Sequence, residues 1–217
     1  MSFLEDNKNI GLLLLIVGIM SIIAPLTLFI YDFFTTAYII VLVVGGIVAG
    51  LIYILAGLSV RDSKDDPLGI LQMVAGMIGL KIAYDIKIGI PALMVMVLGI
   101  TSLINGIFSL IAGAVGGSIG AGIGSAVIGI IIGIFFLIAA PIVAGNKKSS
   151  SGSVIWIILL ILIILGILGA LMAAFLGFFL AIYGLCMLIF GICLLILFIF
   201  LLLAILKPEI KKNMGVD

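Results

Sequence analysis

Long apolar stretches separated by short polar links recur from one end of the chain to the other. Each is long enough, and poor enough in charge, to be typical of a membrane-spanning helix. Seven can be distinguished, over residues 10–31, 36–60, 68–86, 88–113, 119–145, 154–175 and 177–206. The last two must be separate helices, because one helix of their joint length would far exceed a hydrocarbon core of about 30 Å. The pattern predicts an all-α, polytopic membrane protein with six or seven transmembrane helices in tandem hairpins.

The whole chain, residues 1–217, is predicted to form a single integral membrane domain. Within it we expect a first helical hairpin over 10–60, a second over 68–113, and C-terminal helices over 119–206. The first apolar run is about twice as long as the core of a signal peptide, and no Ala-x-Ala pattern follows it. We therefore expect it to be a first spanning helix that stays in the protein.

Lysine and arginine positions predict the orientation, because these residues accumulate in cytoplasmic links. With seven spans, Lys8, Arg61 and Lys64 would lie outside the cell and the other basic residues inside. With six spans, only Lys81 and Lys87 would lie outside. Both arrangements place the C-terminus in the cytoplasm of a multi-pass protein of the plasma membrane. They leave the side of the N-terminus open.

Glycines follow two regular spacings along the apolar stretches. Pairs seven residues apart enclose apolar fillings in GLLLLIVG (11–18), GLIYILAG (50–57), GILQMVAG (69–76), GIFSLIAG (106–113) and GLCMLIFG (184–191). Between residues 113 and 133 a small residue also stands at every fourth position. Small residues at such spacings let helix backbones approach closely in lipid. We predict that Gly113, Gly117, Gly129 and Gly133 are helix-packing residues. Such a surface could contact a second copy of the chain or another membrane protein, and a pore lining is the alternative.

The hairpin unit formed by GLLLLIVGIMSIIAP, VLVVGGIVAGLIYILAG and VLGITSLINGIFSLIAG resembles the short hairpin repeat of HdeD-like acid-resistance membrane proteins. The resemblance covers about residues 10–113. It implies a protein built from six spanning helices in tandem pairs, with a role in stress. The shared pattern consists of glycine and leucine spacing, so it implies no catalytic residue.

Composition narrows the classes of function. Hydrophobic residues make up 66% of the chain and charged residues 9%, where a soluble domain has about half and a quarter. The net charge of +1 gives no basic field for nucleic acid.

The glycine-rich stretch lacks the preceding strand and the Lys-Ser/Thr of a phosphate-binding loop, so no nucleotide is expected. Histidine is absent, and the two cysteines, seven residues apart on one predicted helix, fit neither a disulfide nor a zinc site. We therefore expect that the protein is not an enzyme and that it binds no cofactor and no metal. Its main partner is expected to be the lipid bilayer.

One predicted helix, 88–113, carries an ordered polar face. Thr101, Asn105 and Ser109 follow at intervals of four, with Ser102 beside them, opposite a wholly aliphatic face. Such side chains hydrogen-bond neighbouring helices or, as the alternative, bind a small polar substrate. Lys81 and Asp85 are the other polar feature, interpreted as an interfacial pair with an ion gate as the alternative.

Two functions are consistent with this pattern. The first is a non-enzymatic membrane protein of structural or stress-related role that acts through helix packing and partner contacts. The second is a small-molecule channel or transporter that uses the polar face of 88–113. A water-filled cavity that reaches Asn105 would favour the second over the first.

Overall fold

The computed structural model describes residues 7–30, 36–62, 89–116, 119–145, 151–178 and 181–216. These ranges are helical almost throughout and contain no strand, so the predicted all-α, polytopic fold is confirmed. Six of the helices in them are long and apolar enough to cross a membrane. The helices are α1 (Asn7–Thr27, followed by a 3₁₀ turn at Leu28–Ile30), α2 (Thr36–Asp62), α3 (Ile90–Val115), α4 (Ile119–Val143), α5 (Gly152–Leu176), α6 (Ala181–Ile205) and the short α7 (Pro208–Asn213).

These bounds follow six of the seven apolar stretches to within a few residues. The stretch 88–113 corresponds to α3, which is therefore the helix that carries the predicted polar face. The stretch 68–86, with Lys81 and Asp85, lies outside the described residues, and so does the first half of the hairpin predicted over 68–113. The short α7 was not predicted, and it begins with Pro208 at its first position, where a missing N–H costs no helical hydrogen bond.

The described helices pair as three antiparallel hairpins: α1 with α2, α3 with α4, and α5 with α6. Contacts of α2 with α3, and of α1 with α6, join the hairpins into one bundle. Among the described helices, α5 touches mainly α6, and its large side chains such as Leu165 and Leu168 are more than half exposed. Apolar exposure on this scale fits a lipid-facing surface.

Both ends of the described chain lie at one end of the bundle, which we call the terminal end. Close to the start of α1, Gly11 lies against Arg61 near the end of α2. At the same end, the indole Nε1 of Trp156, early in α5, donates to the carbonyl oxygen of Ile205 in α6 at 3.4 Å. The helices alternate in direction, so α1, α3 and α5 start at the terminal end and α2, α4 and α6 finish there.

The C-terminal segment covers part of the terminal end. Lys211 of α7 places its Nζ 5.5 Å from the centre of the Trp156 ring, a cation–π distance. Asn213 donates from Nδ2 to the Val143 carbonyl oxygen at 3.5 Å and lies against Gly145, whose φ of 78° is a left-handed conformation that suits glycine. These contacts fix α7 across the ends of α4 and α5.

The half of the bundle nearest the terminal end is solidly packed. Every residue of α3 from 92 to 97 is buried, so α3 is surrounded on all sides there. Leu14, Leu159 and Leu201, from three other helices, are also fully buried in this core. Further from the terminal end, several residues of α3 are exposed, so the interior there is no longer solidly packed.

Candidate functional site

A cavity of about 250 Å³ lies between α1, α2, α3 and α6 in the half of the bundle away from the terminal end. This volume holds several water molecules or one small organic molecule. Its lining is largely apolar, with a few polar groups, which is typical of small-molecule sites. The lining residues are Met20, Ser21, Ala24, Pro25, Leu28, Leu42, Gly46, Ala49, Tyr53, Asn105, Tyr183, Met187 and Phe190.

A proline in α1 borders the cavity. Pro25 lies inside the helix and has no N–H, so the carbonyl of Ser21 one turn earlier loses its helical hydrogen bond. Gly46 of α2 lies directly against that carbonyl, and a methyl group on Gly46 would come within 2.9 Å of Pro25 Cγ. The interrupted helix thus meets α2 where α2 has no side chain. Ser21, Pro25 and Gly46 together form one wall of the cavity.

Tyr53 lines the cavity on the side of the terminal end, and its hydroxyl is hydrogen-bonded to Thr101, which is not among the lining residues. Thr101 is buried, and its Oγ1 donates its only hydrogen to the Val97 carbonyl oxygen at 2.9 Å, with Leu98 O at 3.2 Å as a second acceptor. The Val97 carbonyl is the nearer acceptor, so we assign the Thr101 hydrogen to it and the Tyr53 hydroxyl, 3.3 Å from Thr101 Oγ1, as the donor in that contact. Its phenol oxygen retains acceptor capacity.

Below this pair, a plug of large apolar side chains closes the bundle toward the terminal end. A gap of only about 10 Å³ remains among them, and an apolar space of that size stays dry. The plug is formed by Leu14, Met94, Val97, Leu98, Leu194, Leu197 and Phe198, with Tyr53 at its edge. The cavity is therefore closed on one side and extends toward the other.

A second, smaller cavity of about 110 Å³ lies between α2, α3 and α4. Tyr38, Ser109 and Ser125 give it polar groups, and Leu42 lines both this cavity and the larger one. Asn105 and Ser109, one turn apart on α3, thus line different cavities. Leu42 of α2 lies between the two spaces.

The four polar residues predicted on α3 do not share one environment. Thr101 is buried and bonded to Tyr53, Asn105 is exposed in the larger cavity, and Ser109 is half-buried in the smaller one. Ser102 is half-buried, and its carbonyl oxygen faces Gly129 of α4. Sequence reasoning missed Tyr53 and Tyr183, although a tyrosine within an apolar stretch is a signal of a polar contact in the membrane.

Glycines lie where the helices of each hairpin meet. In the α3–α4 hairpin, a methyl group on Gly129 would come within 2.9 Å of Gly106 Cα, and one on Gly133 within 2.8 Å of the Gly99 carbonyl oxygen. Gly113 is buried against Gly122 of the same hairpin, while Gly117 lies outside the described residues.

The other two hairpins show the same kind of contact. In α1–α2, a methyl group on Gly18 would lie 2.6 Å from the Gly50 carbonyl oxygen. In α5–α6, one on Gly177 would lie 2.7 Å from the Gly184 carbonyl oxygen. In each hairpin, then, backbone meets backbone directly.

Within the described ranges, no three His, Cys, Asp or Glu side chains come close enough together to hold a metal ion. Cys186 and Cys193 are both buried in α6 and form no disulfide. In comparisons with known proteins, no family model, no curated protein and no solved structure matches the chain. The resemblance to HdeD-like proteins stays a prediction.

Proposed function

We propose that this integral membrane protein is a small-molecule transporter whose substrate site is the larger cavity. The observation that carries the proposal is the cavity itself, which reaches Asn105 within a spanning helix. Asn105 lies fifteen residues after Ile90, or about 23 Å along a helix of about 39 Å. A carboxamide that faces hydrocarbon without a partner costs several kcal/mol, whereas in water it costs nothing. The exposure of Asn105 therefore supports a hydrated cavity.

The distribution of charge supports an orientation. Lys8, Arg61, Lys207, Lys211 and Lys212 belong to helix ends or to α7 at the terminal end. At the opposite end, the links 31–35, 117–118 and 179–180 contain neither lysine nor arginine. By the positive-inside rule, the terminal end is cytoplasmic, with both termini on that side. The cavity then extends toward the outer face of the plasma membrane, and the plug closes the cytoplasmic side.

Cysteine labelling tests this proposal. The two native cysteines are first replaced by alanine, and single cysteines are then placed on α3 as Asn105→Cys, Ile107→Cys or Met94→Cys. A membrane-impermeant thiol reagent added outside the cell should modify only the first. Ile107 is exposed on the bundle surface and Met94 is buried in the dry core, so both are matched controls on the same helix. Failure to label position 105, with control labelling of an outer link intact, would contradict the proposal.

Transport itself is measured by uptake of uncharged solutes into proteoliposomes. Asn105→Leu should abolish uptake, and Ile107→Leu, which changes a side chain outside the cavity, should leave it unchanged. If Asn105→Leu and Ile107→Leu take up solute equally well, a substrate role for Asn105 is contradicted.

A second candidate function is a structural or stress-related role through helix packing and partner contacts. It is favoured by the backbone contacts within each hairpin and by Gly120 and Gly124 of α4, at which an added methyl group would meet nothing within 4 Å. Such an open glycine face fits contact with a second copy of the chain or another membrane protein. This function predicts no labelling at position 105 and no solute flux. It also predicts that Asn105→Leu lowers thermal stability, because an interhelical contact is lost.

A further inference from the structure

The walls of the larger cavity indicate what kind of molecule it takes. None of the described residues that line it carries a charge. Moving an ion into such a space without a partner of opposite sign is strongly unfavourable. The lining therefore selects for uncharged molecules.

Most of the lining is apolar and deformable. Phe190 and Tyr183 offer aromatic rings, and Met20 and Met187 are flexible, polarizable side chains that adapt to irregular shapes. Rings of this kind pack well against a flat apolar ligand. The body of the ligand is therefore expected to be a compact apolar or aromatic group that a space of about 250 Å³ can hold.

The polar groups specify one hydrogen-bonding function on that body. With the Thr101 hydrogen assigned to the Val97 carbonyl, the Tyr53 hydroxyl donates to Thr101 and offers a further partner its oxygen as an acceptor. The carboxamide of Asn105 offers N–H donors and a carbonyl acceptor. A hydroxyl group is the simplest group that donates to Tyr53 and accepts from Asn105 at the same time. A ligand that has only acceptors would leave the Tyr53 oxygen without a donor.

We propose that the cavity binds an uncharged, largely apolar molecule that carries a hydroxyl group, which is held between Tyr53 and Asn105. The proposal rests on the proposed function, because it names the substrate class of the same site. It is tested with a matched set of probes: 2-naphthol, naphthalene, 2-naphthoate and 2-naphthylmethylammonium. Binding to the purified protein in lipid nanodiscs is measured by fluorescence, and empty nanodiscs give the contribution of partition into lipid.

We expect 2-naphthol to bind more than tenfold more tightly than either charged probe. Tyr53→Phe and Asn105→Leu should each weaken 2-naphthol about fivefold, as the loss of one hydrogen bond does, and leave naphthalene unchanged. Tyr38→Phe makes the same chemical change in the smaller cavity and should affect neither probe. Tyr53→Phe and Asn105→Leu are both tested, so that if one variant does not fold the other still provides the test. Thermal melting shows whether each variant is folded.

Tight binding of a charged probe would overturn the proposal, and so would variants that weaken naphthalene as much as 2-naphthol. The outcomes also separate this proposal from the proposed function. Uptake of only charged or strongly hydrophilic solutes would leave transport standing and overturn the ligand class. Specific 2-naphthol binding without uptake of any solute, and without labelling at position 105, would leave the ligand class standing and overturn transport.

Discussion

The glycine contacts between α3 and α4 allow a stability prediction with an internal control. Gly129→Ala places a methyl group 2.9 Å from Gly106 Cα and 2.9 Å from the Ser102 carbonyl oxygen. Carbon atoms normally approach no closer than about 3.5 Å, so the two helices must separate by roughly 0.6 Å. Both neighbouring atoms belong to the backbone and cannot rotate away. Overpacking of this kind costs about 1–3 kcal/mol.

Gly124→Ala on the same helix is the matched control, because an added methyl group there meets nothing within 4 Å. Both substitutions gain the same helix propensity, up to about 1 kcal/mol, so that term cancels when the variants are compared. The difference between them is the packing cost alone. For a chain of this size, a difference of 2 kcal/mol corresponds to roughly 4–8 °C in the melting temperature.

The assay follows the exposure of the two native thiols on heating. Cys186 and Cys193 are both buried, so a thiol-reactive fluorogenic dye reports loss of the fold. Gly129→Ala should melt below wild type, and Gly124→Ala should melt at or above it; Gly129→Leu should melt lower still. If the two alanine variants melt together, the contact between Gly129 and Gly106 does not limit the approach of the helices, and the reasoning fails.

Three further predictions concern the cavity and the orientation. Asn105→Leu should leave the melting temperature unchanged while it abolishes solute uptake, because Asn105 is exposed in the cavity; a fall in melting temperature with uptake retained would support the structural role instead. Thr101→Val should lower the free energy of unfolding by about 1 kcal/mol, since the Tyr53 hydroxyl loses its buried partner; thermal melting that is unchanged would contradict this. Tags placed before Met1 and after Asp217 should both be protected from protease added outside intact cells, and cleavage of either would reverse the proposed orientation of that terminus.

The positions of the helices could be predicted from sequence because the bilayer sets their length. The predicted stretch 36–60 became α2 at Thr36–Asp62, and 119–145 became α4 at Ile119–Val143. In both cases an uninterrupted apolar run had to match the hydrocarbon thickness. The short α7 has no such constraint, because its position depends on contacts of Trp156 and Val143.

The candidate site was less accessible to sequence reasoning. Helical periodicity placed Thr101, Asn105 and Ser109 on one face of α3, but α2 lies against that face where Phe108 contacts Gly45. Leu42 of α2 lines both cavities, whereas Asn105 lines only the larger one and Ser109 only the smaller one. Periodicity describes one helix, whereas a cavity depends on which other helices surround it. Nothing in the spacing of α3 indicated that α1 and α6 would complete the walls.

The glycine stretch 113–133 shows the same limit. Its small residues stand four apart, but the contact positions on α4 are Gly122, Ala126, Gly129 and Gly133, which alternate steps of three and four. A strict step of four turns about 40° around the helix each time, whereas alternation keeps the positions on one face. Ser125, on the four-residue spacing, consequently lies in the smaller cavity. The hairpin turn after Val115 also divides the stretch between two helices.

The contrast between contacts within and between hairpins bears on how such a transporter would move. Within each hairpin, backbone atoms meet at glycines, as at Gly18 and Gly50, so a sliding motion there would force backbone against backbone. Between hairpins, α2 and α3 meet through side chains such as Phe108, and the plug below Tyr53 is made of side chains from α1, α3 and α6. Side chains can change rotamer and repack, whereas a backbone contact cannot. In the proposed transporter, opening the plug toward the terminal end would therefore require the hairpins to rotate against one another as rigid units, with the side chains of the plug as the part that rearranges.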